Sequence, residues 1–193
     1  MKKPVFDTTR AVSWSMLSSW EYDPEQWYRR YVLGLKDTSH EMEFGSLVDR
    51  KLQEDESFLP HVPRYPFMQH EMRATLGGID LVGIADGWDP NVKELADYKT
   101  GKKAWDQKRA DETGQLTMYA LLLHMTQGYR PEDIDFVIHW LPTHEKGDFS
   151  IGLIDEKHLV SIPTRRTTRQ MLDFGRRIQA AHKAMQEYAR RHE

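Results

Sequence analysis

The first part of the chain carries apolar side chains at helical spacing. Residues 13–35 predict two consecutive short helices, because the apolar positions lie on either side of Asp23-Pro24, a capping residue followed by a first-turn proline. The second helix carries an aromatic stripe beside Arg29 and Arg30. Such a stripe packs in a core more often than it stacks on bases or grips phosphates, and both interpretations stay open here.

A second helical pattern covers residues 41–53, where apolar side chains at positions i, i+3, i+4 and i+8 and the stem of Lys51 at i+7 define one face. Gly45 lies inside this pattern and costs the helix about 1 kcal/mol relative to alanine. We therefore expect another part of the protein to approach closely at Gly45. Residues 54–66 contain prolines and lack periodicity, so they predict a loop.

Residues 67–99 predict three strands. Gly77-Gly78 marks a hairpin between the first two strands, and the sequence DPN at residues 89–91 turns the chain between the second and the third. The middle strand is apolar on both faces, as expected of a strand inside a sheet.

The second half of the chain alternates helices with strands. We predict a helix over residues 111–127, ended by Gly128, and a long amphipathic helix over residues 168–191. Strand patterns lie between them at residues 133–142, 149–154 and 158–162. This order of elements predicts an α/β fold with a mixed β-sheet flanked by helices, in a single domain over residues 1–193.

Composition excludes several kinds of site. The 193 residues contain no cysteine, which rules out disulfides, zinc–thiolate sites and an iron–sulfur cluster. No run of about 18 apolar residues occurs, so we expect no membrane partner. The N-terminal sequence MKKPVFDTTR lacks the apolar stretch of a secretory signal, and we therefore expect a cytoplasmic protein.

Charge is unevenly distributed along the chain. The formal net charge is −3, yet residues 165–193 hold eight lysines and arginines against three acidic residues. This basic segment is either a phosphate-binding strip or a solvated helix whose late arginines suit the negative end of the helix dipole. The distribution alone does not decide between the two.

The main candidate for chemistry is the stretch GIADGWDPNVKELADYKTG at residues 83–101. Asp86 and Asp97 fall on two predicted antiparallel strands, which lie only about 4.8 Å apart when paired. Side chains alternate along a strand, so Asp97 and Lys99 share a face while Tyr98 points the other way. Two carboxylates suit Mg²⁺, which prefers oxygen ligands, and the lysine would face the same reaction centre. The arrangement suits hydrolysis of a phosphodiester.

Five short blocks of the sequence extend this interpretation. In chain order they are SWSML (13–17), GSLVD (45–49), GIAD (83–86), LADYKTG (95–101) and QLTMY (115–119). Together, over roughly residues 13–142, they resemble the PD-(D/E)XK nuclease superfamily, and in particular the RecB-like exonuclease branch found in phage recombination and CRISPR adaptation. The resemblance implies a restriction-endonuclease-like core over about residues 13–162, followed by the basic amphipathic helix at 165–193.

The resemblance also implies roles for individual residues. Asp86 and Asp97 would bind Mg²⁺ or Mn²⁺ together with the backbone carbonyl of Tyr98, and Lys99 would be the catalytic lysine. Gln115 and Tyr119 match a Q-x-x-x-Y element that helps to place the DNA strand.

Position 49 departs from the family pattern. Asp49 stands where RecB-like members usually carry a histidine metal ligand. Aspartate remains a good ligand for a hard metal ion, and the change would favour magnesium.

The resemblance implies a metal-dependent exonuclease acting on linear DNA, in recombination, repair or phage DNA processing. Two alternatives stay open: a catalytically inert module that binds nucleic acid or a partner, and a structure- or sequence-specific endonuclease. Oligomeric state is not predicted. His139 and His144 bracket a strand end without a third ligand at metal-like spacing, so we expect structural or surface roles for both.

Overall fold

The computed structural model describes residue 7 and residues 9–35, 38–145, 151–153 and 158–192. Its helices are α1 (Trp14–Tyr22), α2 (Pro24–Tyr31), α3 (His40–Glu54), α4 (Gln107–Glu112), α5 (Gly114–Gln127) and α6 (Thr168–His192). Its strands are β1 (Phe67–Leu76), β2 (Ile79–Asp89), β3 (Glu94–Gly101), β4 (Asp135–Glu145), β5 (Ile151–Leu153) and β6 (Val160–Thr164).

The strands form one mixed sheet in the order β1-β2-β3-β4-β5, and β6 also pairs with β4. β1, β2 and β3 are antiparallel neighbours, whereas β3 and β4 run parallel. A parallel pair needs a long crossover connection, and α4 and α5 supply it. The predicted mixed sheet flanked by helices is therefore confirmed, with β2 between β1 and β3 as its pattern predicts.

The two faces of the sheet are covered by different helices. α1, α2, α5 and α6 share one apolar cluster with the sheet, and much of α5 is buried in it. On the other face, Val48 and Leu52 of α3 pack with Tyr98 and Leu141. Leu95 belongs to the first cluster and Tyr98 to the second, so the side chains of β3 that alternate with Tyr98 face α5.

The N-terminal helices form as their sequence predicts. The Asp23 carboxylate accepts hydrogen bonds from the backbone N–H groups of Glu25 and Gln26, and Pro24 opens α2. The aromatic stripe belongs to the core, because the Trp27 side chain is fully buried and meets Trp20 edge-on at 5.1 Å between ring centroids.

The helix predicted over residues 111–127 is interrupted at Thr113. α4 ends at Glu112, Thr113 is extended with φ −63° and ψ 122°, and α5 begins at Gly114. A Cβ atom on Gly114 would lie 2.3 Å from the Trp14 ring, so the new helix begins where the backbone packs under that ring.

The strands of the second half also differ in their bounds. β4 begins at Asp135, after a 3-10 turn at Pro131–Asp133, and extends to Glu145 rather than to residue 142. The strand predicted at 158–162 lies at Val160–Thr164 and pairs with β4. Of the strand predicted at 149–154, Ile151–Leu153 pairs with β4 as β5, and residues 149, 150 and 154 lie outside the described residues.

Several basic side chains of residues 165–192 have protein partners. The Arg177 guanidinium pairs with Glu21, and Arg176 lies 2.7 Å from Asp173. The Arg165 guanidinium pairs with Asp135, and Arg166 is fully buried. These contacts favour the solvated, ion-paired helix over a phosphate-binding strip. None of the described helices is long and apolar enough to cross a bilayer.

Candidate active site

The candidate site lies where β2 and β3 separate. The two strands pair only from Gly87–Ala96 to Asp89–Glu94, and this register places Asp86 opposite Asp97 just beyond the last pair. There the Asp86 carboxylate takes the place of a backbone partner, since its Oδ2 accepts a hydrogen bond from the Tyr98 N–H at 2.8 Å. Because the hydrogen-bond ladder between β2 and β3 is short, the Asp86 carboxylate lies between the two strands.

Asp97 is the most buried member of the site, with 1% of its surface exposed. Its Oδ1 accepts a hydrogen bond from Gln115 Nε2 at 2.7 Å. Its Oδ2 lies 2.5 Å from Lys99 Nζ but accepts no hydrogen bond of ordinary geometry. A buried carboxylate oxygen therefore faces a cation as its main partner.

Lys99 and Gln115 complete a cycle of contacts. Lys99 Nζ donates to Gln115 Oε1 at 2.9 Å, so the amide of Gln115 bonds both the lysine and Asp97. The Lys99 side chain is 25% exposed. The ammonium is thus fixed by the protein on one side and remains reachable from solvent on the other.

Tyr119 lies one helical turn after Gln115 on α5, and its hydroxyl connects Gln115 to β2. Gln115 Nε2 donates to the Tyr119 hydroxyl at 2.8 Å, and that hydroxyl donates to the Ile84 carbonyl at 2.6 Å. A Cβ on Gly83 would lie 3.0 Å from the Tyr119 ring, so glycine at this position lets α5 approach β2 closely. Gln115 and Tyr119 thus lie on one face of α5.

Crowded negative charge changes the protonation of the site. Burial, and then the charge of Asp97, raise the pKa of Asp86 to about 8. Burial opposes the charged form of Lys99, but Asp97 and Asp86 outweigh it and raise the lysine pKa. Burial together with the two carboxylates raises the pKa of Tyr119 well above its usual value, so its hydroxyl stays a donor.

Asp49 lies at the edge of this cluster. Burial raises its pKa to about 6, while the Lys99 ammonium lowers it and the Asp97 charge raises it. Across the residues that the structure describes, no group of three or more His, Cys, Asp or Glu side chains is placed to hold one metal ion. Asp49 lies within electrostatic reach of Asp97, and its role as a third metal ligand stays a prediction.

The residues present nevertheless fit a divalent cation. Asp86 and Asp97 offer oxygen ligands of the kind that Mg²⁺ prefers, and burial together with the Asp97 charge raises the pKa of Asp86. The buried Oδ2 of Asp97 faces the Lys99 ammonium, and its further lone pairs would suit a metal ion.

Tyr98 contributes its backbone to the site and its ring to the opposite face. The ring stacks on His139 with centroids 5.4 Å apart, and the hydroxyl donates to the Pro63 carbonyl. His139 is itself buried, with Nε2 hydrogen-bonded to the Tyr65 hydroxyl at 2.8 Å, so its expected structural role is confirmed. The side chain of His144 lies outside the described part of the chain.

Two features of the site carry no motif in the sequence. Gln69 on β1 donates from Nε2 to Asp86 Oδ1 at 3.0 Å, and only the strand register could identify it. A groove beside Lys99 is lined by Trp105 and Arg109, which follow the LADYKTG block in the sequence KKAWDQKR. The mixture of aromatic and basic residues in that loop is a signal that could have indicated the groove.

Comparison with known proteins places this geometry in context. Residues 54–192 match the family model of the PD-(D/E)XK nuclease superfamily. None of the curated proteins matches the sequence.

Solved structures share the fold at low sequence identity. An alkaline exonuclease from Laribacter hongkongensis is 11% identical with a TM-score of 0.54, over 95% of this chain and 93% of its own. A candidate exonuclease from Eubacterium rectale is 12% identical with a TM-score of 0.54, over 95% and 81%. A phage-related exonuclease from Haemophilus somnus is 12% identical with a TM-score of 0.50, over 91% and 78%.

Proposed function

We propose that this chain, which belongs to the PD-(D/E)XK nuclease superfamily, is a divalent-metal-dependent exonuclease that hydrolyses DNA from an end. The observation that carries the proposal is the contact cycle around Asp97. Its carboxylate meets Lys99 on one oxygen and Gln115 on the other, beside a second buried carboxylate, Asp86. This set combines metal ligands with a fixed cation in one small site.

Each residue has a defined task in this proposal. Asp86 and Asp97, with the Tyr98 carbonyl, would hold Mg²⁺ or Mn²⁺, which supplies Lewis-acid polarisation of the phosphoryl group and a more acidic water. Lys99 neutralises negative charge that develops on the phosphate, and it needs no large reorganisation because Gln115 already holds it.

Gln115 and Tyr119 act as positioning residues. The Gln115 amide fixes the orientation of Asp97 and Lys99 together, and the Tyr119 hydroxyl ties that amide to the Ile84 carbonyl of β2. These hydrogen bonds fix β2, β3 and α5 relative to one another around the position that the phosphate would take. Such preorganisation is where electrostatic catalysis gains most of its effect.

The test is cleavage of end-labelled linear DNA and of closed circular DNA, with Mg²⁺, with Mn²⁺ and with EDTA. We expect shortening of the linear substrate with either metal, an intact circle, and no reaction in EDTA. Cleavage of the circle would assign an endonuclease instead. An intact linear substrate with both metals would refute the nuclease proposal.

Two variants test the assigned roles. We expect Asp97→Ala and Lys99→Ala each to lower the cleavage rate by about 100-fold or more. Asp173→Ala, on the exposed side of α6, is the matched carboxylate control and should cleave normally. Full activity of either site variant, with unchanged thermal unfolding, would contradict the assignment.

A second candidate function is an inert module that binds nucleic acid or a partner protein. Two observations favour it: the described residues supply no third clustered ligand, and the Lys99 ammonium lies against the Asp97 oxygen that a metal would use. Isothermal titration with Mg²⁺ and Mn²⁺ separates the candidates. Binding that Asp97→Ala abolishes supports the nuclease, and absence of metal binding supports the inert module.

A further inference from the structure

A groove opens beside the Lys99 side chain and leads away from the candidate active site. It has a volume of about 710 Å³, within the range of protein pockets that hold ligands of several hundred daltons. Lys99 and Gln115 line its inner end, and Trp14, Lys103, Trp105 and Arg109 line the rest. We call this feature the Trp105 groove.

Two tryptophans of the Trp105 groove keep part of their surface exposed. Trp105 is only partly buried, and the Arg109 guanidinium stacks 3.9 Å above the centroid of its ring, a position that a base would take over while the guanidinium turns to a phosphate. Trp14 packs against Gly114 and, at 6.2 Å between centroids, against Phe174, yet it still lines the groove. Large aromatic side chains that stay accessible beside a reaction centre offer surfaces for stacking a planar ligand.

Positive charge accompanies the aromatic rings. Lys103, Lys108 and Arg109 join Lys99 along the groove, against two acidic residues. Of these, Asp106 accepts a hydrogen bond from the Arg109 N–H at the start of α4, and Glu112 lies 3.9 Å from Lys108. Cations and aromatic faces in one groove are the combination that single-stranded nucleic acid requires, for its phosphates and its bases respectively.

We propose that the Trp105 groove binds an unpaired DNA strand, with a base stacked on the Trp105 side chain and the backbone running to Lys99. The inference rests on the proposed function, and it specifies the substrate as a single strand or a frayed end. In an intact duplex the faces of the bases are already stacked on one another, so no base face is free to stack on a tryptophan side chain. Lysines alone would suit a duplex backbone, and the tryptophans are what favour the unpaired strand.

The test measures binding in EDTA, where cleavage does not interfere. The probes are a labelled short oligothymidylate and a strand of equal length whose sugars carry no bases, each followed by fluorescence anisotropy. We expect the full chain to bind the oligothymidylate about tenfold more tightly than the abasic strand, the size expected for one stacked base.

Variants separate stacking from charge. Trp105→Ala should weaken oligothymidylate binding about tenfold and leave abasic binding unchanged. Arg109→Ala should weaken binding of both strands and reduce the salt slope by about 1. Leu172→Ala and Arg169→Ala, exposed on α6, are the matched controls and should change neither. Trp105→Leu keeps the apolar bulk without the aromatic face, and it replaces Trp105→Ala if that variant melts early.

The outcomes of this test are distinct from those of the cleavage test. If the Trp105 variants lose affinity for both strands equally, or for neither strand, the groove proposal is overturned even if the protein cleaves DNA. Selective loss of the oligothymidylate supports it even if no metal restores cleavage, and only the nuclease proposal then fails. Equal affinity of the unmodified protein for the abasic strand and the oligothymidylate also overturns it.

Discussion

Replacement of Arg166 tests how the fold holds the start of α5 in place. Arg166 is fully buried, and its guanidinium donates to the carbonyls of Ala110 and Thr113 and to the hydroxyl of Thr117. Those carbonyls end α4, where helix geometry leaves them without partners. Arg166→Met removes the donors while keeping a long apolar side chain. We therefore expect a measurable loss of stability at the break between α4 and α5.

Two opposing contributions set the size of this loss. Five acceptors lose a donor. The three whose hydrogen bonds are fully buried, the Ala110 carbonyl and the hydroxyls of Thr117 and Thr164, cost about 1–3 kcal/mol each. Against this, burial lowers the pKa of Arg166 from its usual value to about 10, and at neutral pH this shift corresponds to about 3 kcal/mol for keeping the charge in the folded protein. Methionine relieves that cost. The net expectation is a decrease of about 3 kcal/mol in the free energy of unfolding, within a range of about 0–6 kcal/mol.

Urea unfolding at neutral pH measures this change directly. Arg165→Met is the matched control, because the Arg165 side chain is 67% exposed and pairs with Asp135 at the surface. Such exposed pairs contribute about 1 kcal/mol or less. A loss no larger than that of the control would refute the reasoning that Arg166 supports the α4–α5 break. Greater stability than the unaltered protein would show that desolvation outweighs the hydrogen bonds.

Further predictions concern the site and its supports. Because its raised pKa of about 8 means that folded Asp86 binds a proton more readily than unfolded Asp86, the metal-free protein should lose stability as pH rises from about 4 to about 8. Asp86→Asn should flatten that profile in urea unfolding with EDTA, and an unchanged slope would contradict the assignment. Gly114→Ala should destabilise by about 1–3 kcal/mol as Trp14 is displaced. A Cβ atom on Gly45 would lie 3.3 Å from the Thr100 hydroxyl oxygen, which can rotate away. Gly45→Ala should therefore leave the free energy of unfolding unchanged or raise it by up to about 1 kcal/mol, measured by urea unfolding. Tyr119→Phe should slow cleavage about tenfold without changing metal affinity in a titration, because it removes the hydroxyl that links Gln115 to the Ile84 carbonyl.

Short-range sequence patterns predicted most of the fold, because the elements concerned are determined by residues that are close in sequence. The cap at Asp23, the hairpin at Gly77-Gly78 and the period of α6 each depend on neighbours in sequence. The break before Gly114 does not. It depends on Trp14, a hundred residues earlier, and on Arg166, fifty residues later, so helical periodicity continues across a point where packing interrupts the helix.

The same distinction applies to the site. Alternation along β3 placed Asp97 and Lys99 together, and the spacing of one helical turn placed Gln115 beside Tyr119. Gln69 reaches Asp86 only because β1 pairs with β2, and no short-range pattern marks such a partner.

The position of Asp49 follows from how α3 packs. Its neighbour Val48 belongs to the apolar cluster around Tyr98, on the face of β3 opposite to Asp97 and Lys99. Asp49 itself lies within reach of the charges of Lys99 and Asp97, which act on its pKa. Its own charge in turn raises the pKa of Asp86. When ionised, three carboxylates against one ammonium leave two unbalanced negative charges, which one divalent cation neutralises. Through its charge, Asp49 would thus add to the attraction of the site for a divalent cation.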